Sequence, residues 1–306
     1  MSVDPSMERP LCVGIGEVLW DLLPGGKSLG GAPINAAAHA AQLGARSAAV
    51  SGVGDDDEGR EIVECLRALQ VDAAAVRVVQ GLPTGMVDVN LDETGVPTFS
   101  IRIPAAWDAI EMDAMLGRLA RTADAVIFGS LAQRDRRSRK GIRQFLHALR
   151  PECLKVFDVN LRHPFYSAEI IRSSLELANV LKLNDAELPV LADSLGIAAD
   201  ETTQLHTIRE RFDLDLVVYT RGDRGSRMVS AQRDESHPGY QVRVVDTVGA
   251  GDAFTAAVTI GLLRGLQLDS MQELANRVAA FVCSQPGAVP LLPEDVRREF
   301  YQSRTV

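Results

Sequence analysis

The stretch DTVGAGDAF, residues 246–254, sets two glycines directly before the apolar helix pattern AFTAAVTIGLL. Gly249 and Gly251 allow the backbone to turn tightly and to point successive N–H groups outward. The helix that follows adds the positive end of its dipole at the same point. The stretch therefore predicts an anion hole at a helix N-terminus.

Asp252 lies in the first turn of that helix, beside the place where a phosphoryl group would be held. A carboxylate there can accept the proton of an attacking hydroxyl, which is the role of a general base. An acid in the first turn of a helix also stabilises the helix dipole without any catalytic role. The local sequence leaves both interpretations open.

Outward from this stretch, short apolar runs alternate with amphipathic segments. The runs are rich in β-branched and aliphatic residues, and they predict buried strands at 11–16, 46–54, 124–129, 154–160, 179–184 and 214–220. Helix-period patterns lie between them at 33–43, 59–69, 137–149, 185–195 and 201–212. This alternation favours an α/β fold whose mostly parallel sheet has helices on both faces and binds ligands at the carboxyl ends of its strands.

One segment, 84–103, breaks the alternation with MVDVNL, the turn DETG and VPTFSIRI. Strict alternation of apolar and polar residues around a glycine-containing turn predicts a hairpin. The hairpin could cover a site as a lid, or it could be a plain edge hairpin.

The composition excludes several function classes. The 306 residues carry 32 Lys+Arg against 41 Asp+Glu, a net charge of -9, and this balance argues against a nucleic-acid partner. The basic run at 134–143 has no interleaved aromatic residue, so it predicts a solvated helix face. No apolar stretch approaches the roughly 20 residues of a membrane span, and the polar N-terminus lacks a secretory pattern. We therefore expect a cytoplasmic protein without a membrane partner.

GAGD after Asp-Thr, together with GGAPINAAAHAAQLG at 30–44, resembles the ribokinase or PfkB family of carbohydrate kinases, and within it the bacterial fructokinases. The resemblance runs from about residue 12 to residue 293, and several independent motifs agree in order and spacing. It implies one doubly wound α/β domain over residues 1–306, with a small β-lid from about 17–30 and 84–104.

The resemblance also implies ATP-dependent phosphorylation of a primary sugar hydroxyl. Asp252 would be the general base, and the backbone of Gly249, Ala250 and Gly251 would form the anion hole. Magnesium would accompany ATP. D-fructose is the expected acceptor, which would give fructose 6-phosphate.

The sugar contacts implied by the resemblance are Asp21, Gly30, Gly31, Asn35 and Arg162. Asp21 follows Gly16 at the spacing of the family's acidic residue, which binds sugar hydroxyls. The two glycines allow close approach of the sugar, although a turn before a helix would also explain them. Arg162, in DVNLR, could face sugar or phosphate, and a structural ion pair is its alternative role.

The nucleotide contacts implied by the resemblance are Asn184, Glu187, Thr220, Gly222, Gly225, Gly249, Gly251 and Gly287. KLNDAE at 182–187 matches the family's NxxE element, so Glu187 would hold Mg²⁺ through water. Helix capping alone would explain Asn184. Arg224 could approach the phosphates, and Asp246 with backbone carbonyls would bind potassium.

Acceptor choice in such enzymes rests on a few lid and pocket contacts, so ribose, 2-keto-3-deoxygluconate or a nucleoside are alternative acceptors. A non-catalytic sensor of sugar or nucleotide is the alternative from a different class. Relatives in the family often pair through their lids, and Met86, Val87 and Val89 offer an alternating apolar face. We therefore also expect a homodimer.

Overall fold

The computed structural model describes residues 9–23, 25–91 and 97–302. The predicted turn DETG at 92–95 lies outside these residues. In the described part of the chain, no helix has both the length and the apolar character needed to cross a membrane.

The central sheet has nine strands within the described residues, in the order β13-β12-β11-β10-β9-β8-β1-β4-β5. These strands are β1 Leu11–Ile15, β4 Arg46–Gly54, β5 Val71–Val79, β8 Ala125–Phe128, β9 Leu154–Asp158, β10 Val180–Asn184, β11 Leu216–Thr220, β12 Ser226–Ser230 and β13 Asp234–His237. The seven strands β5, β4, β1, β8, β9, β10 and β11 are neighbours in that order, and each pairs in parallel with the next. Strands β12 and β13 extend the sheet beyond β11 as an antiparallel edge. The predicted mostly parallel sheet is confirmed, and all six predicted strands are present.

Helices cover both faces of this sheet, as predicted. They are α1 Ala32–Gln42, α2 Asp57–Ala68, α3 Ala114–Thr122, α4 Arg136–His147, α5 Ala168–Leu175, α6 Glu187–Leu195, α7 Glu201–Arg211, α8 Ala250–Leu263, α9 Leu268–Cys283 and α10 Glu294–Gln302. Alternate residues of β8 show why both faces need cover. Val126 and Phe128 pack under α3 to α7, whereas Ala125 and Ile127 pack under α1, α8, α9 and α10.

The segment that breaks the alternation, 84–103, joins residues 19–30 in a second sheet, so it is not a plain edge hairpin of the first sheet. Its strands are β2 Leu19–Leu23, β3 Gly26–Gly30, β6 Gly85–Leu91 and β7 Pro97–Ile101, in the order β3-β2-β6-β7. Strand β2 pairs in parallel with β6, and each forms an antiparallel pair with its other neighbour. This small sheet occupies the segments predicted as the lid. Because β2 and β3 lie between β1 and α1 in sequence, the small sheet adjoins the carboxyl end of a central strand.

The apolar positions proposed for dimer contact are only partly available on the surface of the small sheet. Val87 is 4 % exposed in the single chain, where it packs with Leu19 and Ile101. Met86 is half-buried, and the side chain of Val89 lies outside the described part. The homodimer stays a prediction.

Most of the basic run lies at the start of α4, as a solvated helix face requires, but Arg134 precedes the helix and is buried in an ion pair with Asp108. Arg136 and Lys140 are exposed, whereas Ile142 and Phe145 on the other side of the helix are fully buried in the core. Charge on one side and apolar packing on the other are the pattern of an amphipathic surface helix.

Candidate active site

The glycine-rich turn begins α8. Gly249 precedes the helix with a φ of 79°, in the left-handed region that favours glycine. A Cβ added to Gly249 would overlap the carbonyl oxygen of Ala288, so the two backbones are in direct contact. Ala250 N donates to the carbonyl oxygen of Thr247 at 3.3 Å, and Ala253 N donates to that of Gly249 at 2.8 Å. The N–H groups of Gly251 and Asp252 have no such bond among the described residues, and they lie in the first turn of the helix, where an anion can bind.

Asp252 lies in the first turn of α8, where Asn35 of α1 donates a hydrogen bond from Nδ2 to Asp252 Oδ2 at 2.9 Å. Burial and, to a lesser extent, the charge of Asp158 raise the pKa of Asp252 to about 6, although the hydrogen bond from Asn35 opposes them. A carboxylate of this pKa is ionised at neutral pH and is a stronger base than an exposed aspartate.

A buried ion pair lies directly beside the anion hole. Lys182 Nζ donates to Asp158 Oδ1 at 3.0 Å, and Thr255 Oγ1 donates to Asp158 Oδ2 at 2.7 Å. A Cβ added to Gly251 would lie 3.1 Å from Lys182 Nζ, so the ammonium group is close to the first turn of α8. The Lys182 ammonium is therefore positioned close to the place where a phosphoryl group would bind, with its charge balanced by Asp158 in this structure.

Sequence reasoning missed Lys182, Asp158 and Thr255. The signal was the lysine itself, which interrupts the apolar strand run VLKLN and is only 6 % exposed. Lysine is almost never fully buried without a partner, and an aspartate stands at the end of the neighbouring strand β9.

Two of the predicted sugar contacts, Asp21 and Gly30, lie together in the small sheet. Asp21 of β2 pairs in register with Ser28 of β3, and a Cβ added to Gly30 would overlap the carboxylate of Asp21. Burial raises the pKa of Asp21 to about 6, whereas the charge of Arg162 lowers it. The same arginine charge also lowers the pKa of Asp252. Arg162 is thus near enough to both carboxylates for its charge to act on them, while its Nη1 donates to the carbonyl oxygen of Leu161 at 3.0 Å. Its contact with sugar stays a prediction.

Glu17 is a second acid on the sugar side that sequence reasoning missed. Its side chain is 2 % exposed, and its Oε2 has no hydrogen-bond partner among residues 9–23, 25–91 and 97–302. Burial raises the pKa of Glu17 to about 7, and Arg162 opposes this shift. A Cβ added to Gly31, whose φ is 116°, would overlap the backbone oxygen of Glu17. This glycine is therefore required by packing as well as by its predicted contact with sugar.

The NxxE element caps α6. Asn184 Oδ1 accepts hydrogen bonds from the backbone N–H groups of Ala186 and Glu187, both at 3.0 Å. The carboxylate of Glu187 accepts from Leu161 N at 3.0 Å and from Asn184 N at 2.8 Å. The capping role of Asn184 is therefore present, whatever else the residue contacts.

These bonds limit how Glu187 could hold magnesium. The side chain is buried, and both carboxylate oxygens already accept backbone N–H groups. Within the described residues, no group of three or more His, Cys, Asp or Glu side chains could hold a metal ion directly. Magnesium commonly keeps several waters and binds substrate phosphates. The residues present therefore fit an ion that is held by waters and phosphate oxygens, with Glu187 contacting one of those waters and not the ion itself.

The glycine-containing loop predicted at the nucleotide follows β11. Gly222 and Gly225 have φ values of 58° and 77°, and Thr220 ends the strand. Arg224 donates to Asp185 Oδ2 at 2.9 Å, so in this structure it forms an exposed ion pair that ties the loop to the start of α6.

The two parts of the predicted monovalent-cation site are brought together. Asp246 Oδ1 accepts from Val248 N at 3.0 Å, and Asp246 Oδ2 accepts from Gly287 N at 3.2 Å. Potassium binding at this junction stays a prediction.

Residues 25–295 match the sequence profile of the pfkB family carbohydrate kinases. The chain belongs to this family. The predicted family membership and the ribokinase-like fold are thereby confirmed, and the chain is a carbohydrate kinase of the pfkB family. The roles of the individual site residues stay predictions.

Three pfkB-type relatives illustrate the similarity. Fructokinase-2 of Zea mays is 31% identical over 92% of this chain and 91% of its own length. The structure of an uncharacterized sugar kinase from Pyrococcus horikoshii in complex with ATP has a TM-score of 0.79 and 29% identity, over 95% of this chain and 99% of that one. Fructokinase from Vibrio cholerae, with fructose, ADP and a calcium ion bound, has a TM-score of 0.81 and 26% identity, over 96% and 99%.

Proposed function

We propose that this pfkB kinase transfers the γ-phosphoryl group of ATP to the primary hydroxyl of D-fructose, which gives fructose 6-phosphate and ADP. The observation that carries the proposal is the carboxylate of Asp252, held by Asn35 at the N-terminal end of α8. A base, an anion hole and a buried cation thus converge at one point. Similarity to relatives named fructokinase supports fructose as the acceptor.

In the proposed reaction, Asp252 takes the proton of the sugar hydroxyl as its oxygen attacks the γ-phosphorus. The bond between that phosphorus and the bridging oxygen breaks, and ADP leaves with the electron pair. The N–H groups that follow Gly249 and the charge of Lys182 stabilise the transferring group. Because phosphoryl transfer has a loose transition state, positioning and charge stabilisation supply most of the catalysis.

The sugar would be held between the small sheet and α1. Asp21 would accept hydrogen bonds from sugar hydroxyls, and Glu17, whose pKa is about 7, could bind a hydroxyl in either protonation state. Magnesium, when bound with the nucleotide, would neutralise charge on the β- and γ-phosphates, and Glu187 would orient its waters. Closure of the small sheet would exclude water and limit hydrolysis of ATP.

The test is a coupled assay of ADP formation with a panel of acceptors: fructose, ribose, 2-keto-3-deoxygluconate and nucleosides, each with and without KCl. We expect the highest kcat/KM with fructose. A higher kcat/KM with another acceptor would replace fructose and keep the kinase assignment. Binding of both sugar and ATP without turnover of any acceptor would favour a non-catalytic sensor.

The pH dependence of the reaction follows from the raised pKa of Asp252, about 6. The ionised form is the base, so protonation as the pH falls through about 6 removes the proton acceptor. Asp21, also with a pKa of about 6, must be ionised to accept sugar hydroxyls. We expect kcat/KM for the sugar, measured with saturating ATP and magnesium, to fall below pH 6 by more than tenfold per pH unit.

Asp21→Asn is the matched control, because it removes one of the two groups that must be ionised and leaves Asp252. In this variant the fall should be tenfold per pH unit, with its midpoint still near pH 6. Activity that holds level down to about pH 5 in both proteins would show that Asp252 does not titrate as the base.

A further inference from the structure

Helix α1 carries three polar side chains on one face of an otherwise apolar sequence, APINAAAHAAQ. Asn35, His39 and Gln42 are spaced by four and three residues, so they project from the same side of the helix. Asn35 bonds to Asp252 Oδ2 at 2.9 Å, and His39 Nε2 donates to the carbonyl oxygen of Ala288 at 2.9 Å. The same helix therefore holds both the proposed base and the loop that follows α9.

That loop, 287–292, contacts the glycine-rich turn at two points. Gly287 N donates to Asp246 Oδ2 at 3.2 Å, just before the turn. The carbonyl oxygen of Ala288 lies where a Cβ of Gly249 would be. The position of this carbonyl therefore sets the position of Gly249, the residue from which the anion hole begins.

His39 is suited to hold the Ala288 carbonyl in one place. The ring is fully buried, and burial lowers the pKa of His39 to about 4, so the ring is neutral at physiological pH. A carbonyl oxygen can only accept, so Nε2 carries the proton, and Nδ1 has no partner in the described part of the chain. An apolar side chain of similar size would fill the same space and leave the Ala288 carbonyl without its donor.

Gln42 anchors the same loop farther along. Its Nε2 donates to the carbonyl oxygen of Pro290 at 3.1 Å, and its Oε1 accepts from Leu292 N at 2.8 Å. These bonds fix the loop to α1 beyond Ala288. They offer a comparison in which loop bonds are lost but the contact with Gly249 is kept.

We propose that His39 is a positioning residue that couples the sugar end of α1 to the anion hole through Ala288 and Gly249. A sugar held at Gly31 and Asn35 fixes the position of the N-terminal end of α1. The hydrogen bond from His39 then fixes the Ala288 carbonyl, and through it the glycine-rich turn at Gly249. Binding of sugar therefore strengthens binding of the nucleotide phosphates, and by linkage the nucleotide strengthens binding of sugar. The inference rests on the proposed function for the identity of the two ligands.

The test measures the dissociation constant of a non-hydrolysable ATP analogue by calorimetry, with and without saturating fructose. The quantity compared is the ratio of the dissociation constant without fructose to that with fructose. Coupling between two sites commonly changes affinity by about 5- to 150-fold, and we expect the wild-type ratio to lie in this range. His39→Leu should bring the ratio close to one and lower kcat about tenfold. His39→Gln, whose amide N–H has a similar reach, should restore most of the ratio. Gln42→Leu should keep the ratio while lowering Tm.

A ratio in His39→Leu equal to that of the wild type would overturn the proposal, even if fructose is phosphorylated. If the leucine variant does not fold, His39→Asn replaces it, because the shorter amide does not reach Ala288; equal ratios in the asparagine and glutamine variants would overturn the proposal. If no sugar changes the wild-type affinity and no acceptor is phosphorylated, the proposed function fails instead. The positioning role then requires His39→Leu to bind the analogue more weakly than His39→Gln does, and equal affinities would reject it.

Discussion

Asp252→Asn lowers kcat by about 10²-fold or more, because the variant cannot take the proton of the attacking hydroxyl. Asparagine has the same shape, and its side-chain oxygen can still accept the hydrogen bond from Asn35. The fold and the anion hole should therefore be retained. The measurements are kcat with fructose in the coupled assay and the dissociation constant of an ATP analogue, which should change by less than about twofold.

Asp269→Asn is the matched control for the simpler interpretation of Asp252 as a helix-dipole acid. Asp269 also lies in the first turn of a helix, α9, where it accepts a hydrogen bond from Ser270 N at 2.8 Å. Its loss should cost about 0.3–1 kcal/mol of stability and leave kcat unchanged. A loss below about tenfold in Asp252→Asn would remove the assignment of Asp252 as general base.

Gly249→Ala should also lower kcat by about 10²-fold or more. Its φ of 79° disfavours any side chain, and the added Cβ would overlap the Ala288 carbonyl oxygen. Backbone must shift to relieve the overlap, and a displacement of about 1 Å at a reacting group can cost about 10²-fold in rate. The assay is kcat with fructose, together with Tm to show that the variant is folded.

Gly196→Ala separates backbone strain from the overlap. Gly196 ends α6 with a φ of 68°, and its Cβ would meet no atom within 4 Å. Both variants carry the left-handed strain of about 1–2 kcal/mol, but only Gly249→Ala disturbs the anion hole. If the two variants had equal kcat values, the contact between Gly249 and Ala288 would have no part in catalysis.

The layers of the fold were predictable because the signals that specify them are local. A buried parallel strand needs a continuous apolar run, and RSAAVSGVG became β4 with its predicted bounds, Arg46–Gly54. Strand β5, VDAAAVRVV, alternates exposed and buried residues along its first half, and the search for continuous runs missed it. Local patterns could not predict the pairing of β2 with β6, since it joins segments separated by α1, β4, α2 and β5, and only the family resemblance placed both segments in one lid.

The site shows the same division between local and distant signals. The turn at Gly249 and the acid at Asp252 carry their chemistry in one short motif, and the structure places them as that motif predicts. The buried pair of Lys182 and Asp158 is different, because each residue alone reads as part of a strand. Only the parallel register of β9 and β10, which sets Asp158 opposite Lys182, brings the two charges together.

The contact between Gly249 and Ala288 also bears on how the protein is made. A nascent chain that has left the ribosome only as far as α9 already contains Asn35 and Asp252, but it lacks the loop at 287–292 that packs against the glycine turn. Its anion hole is therefore without the backbone that holds Gly249 in place. Because synthesis proceeds from the N-terminus, the growing chain contains the proposed base before it contains the backbone that positions the phosphate-binding turn.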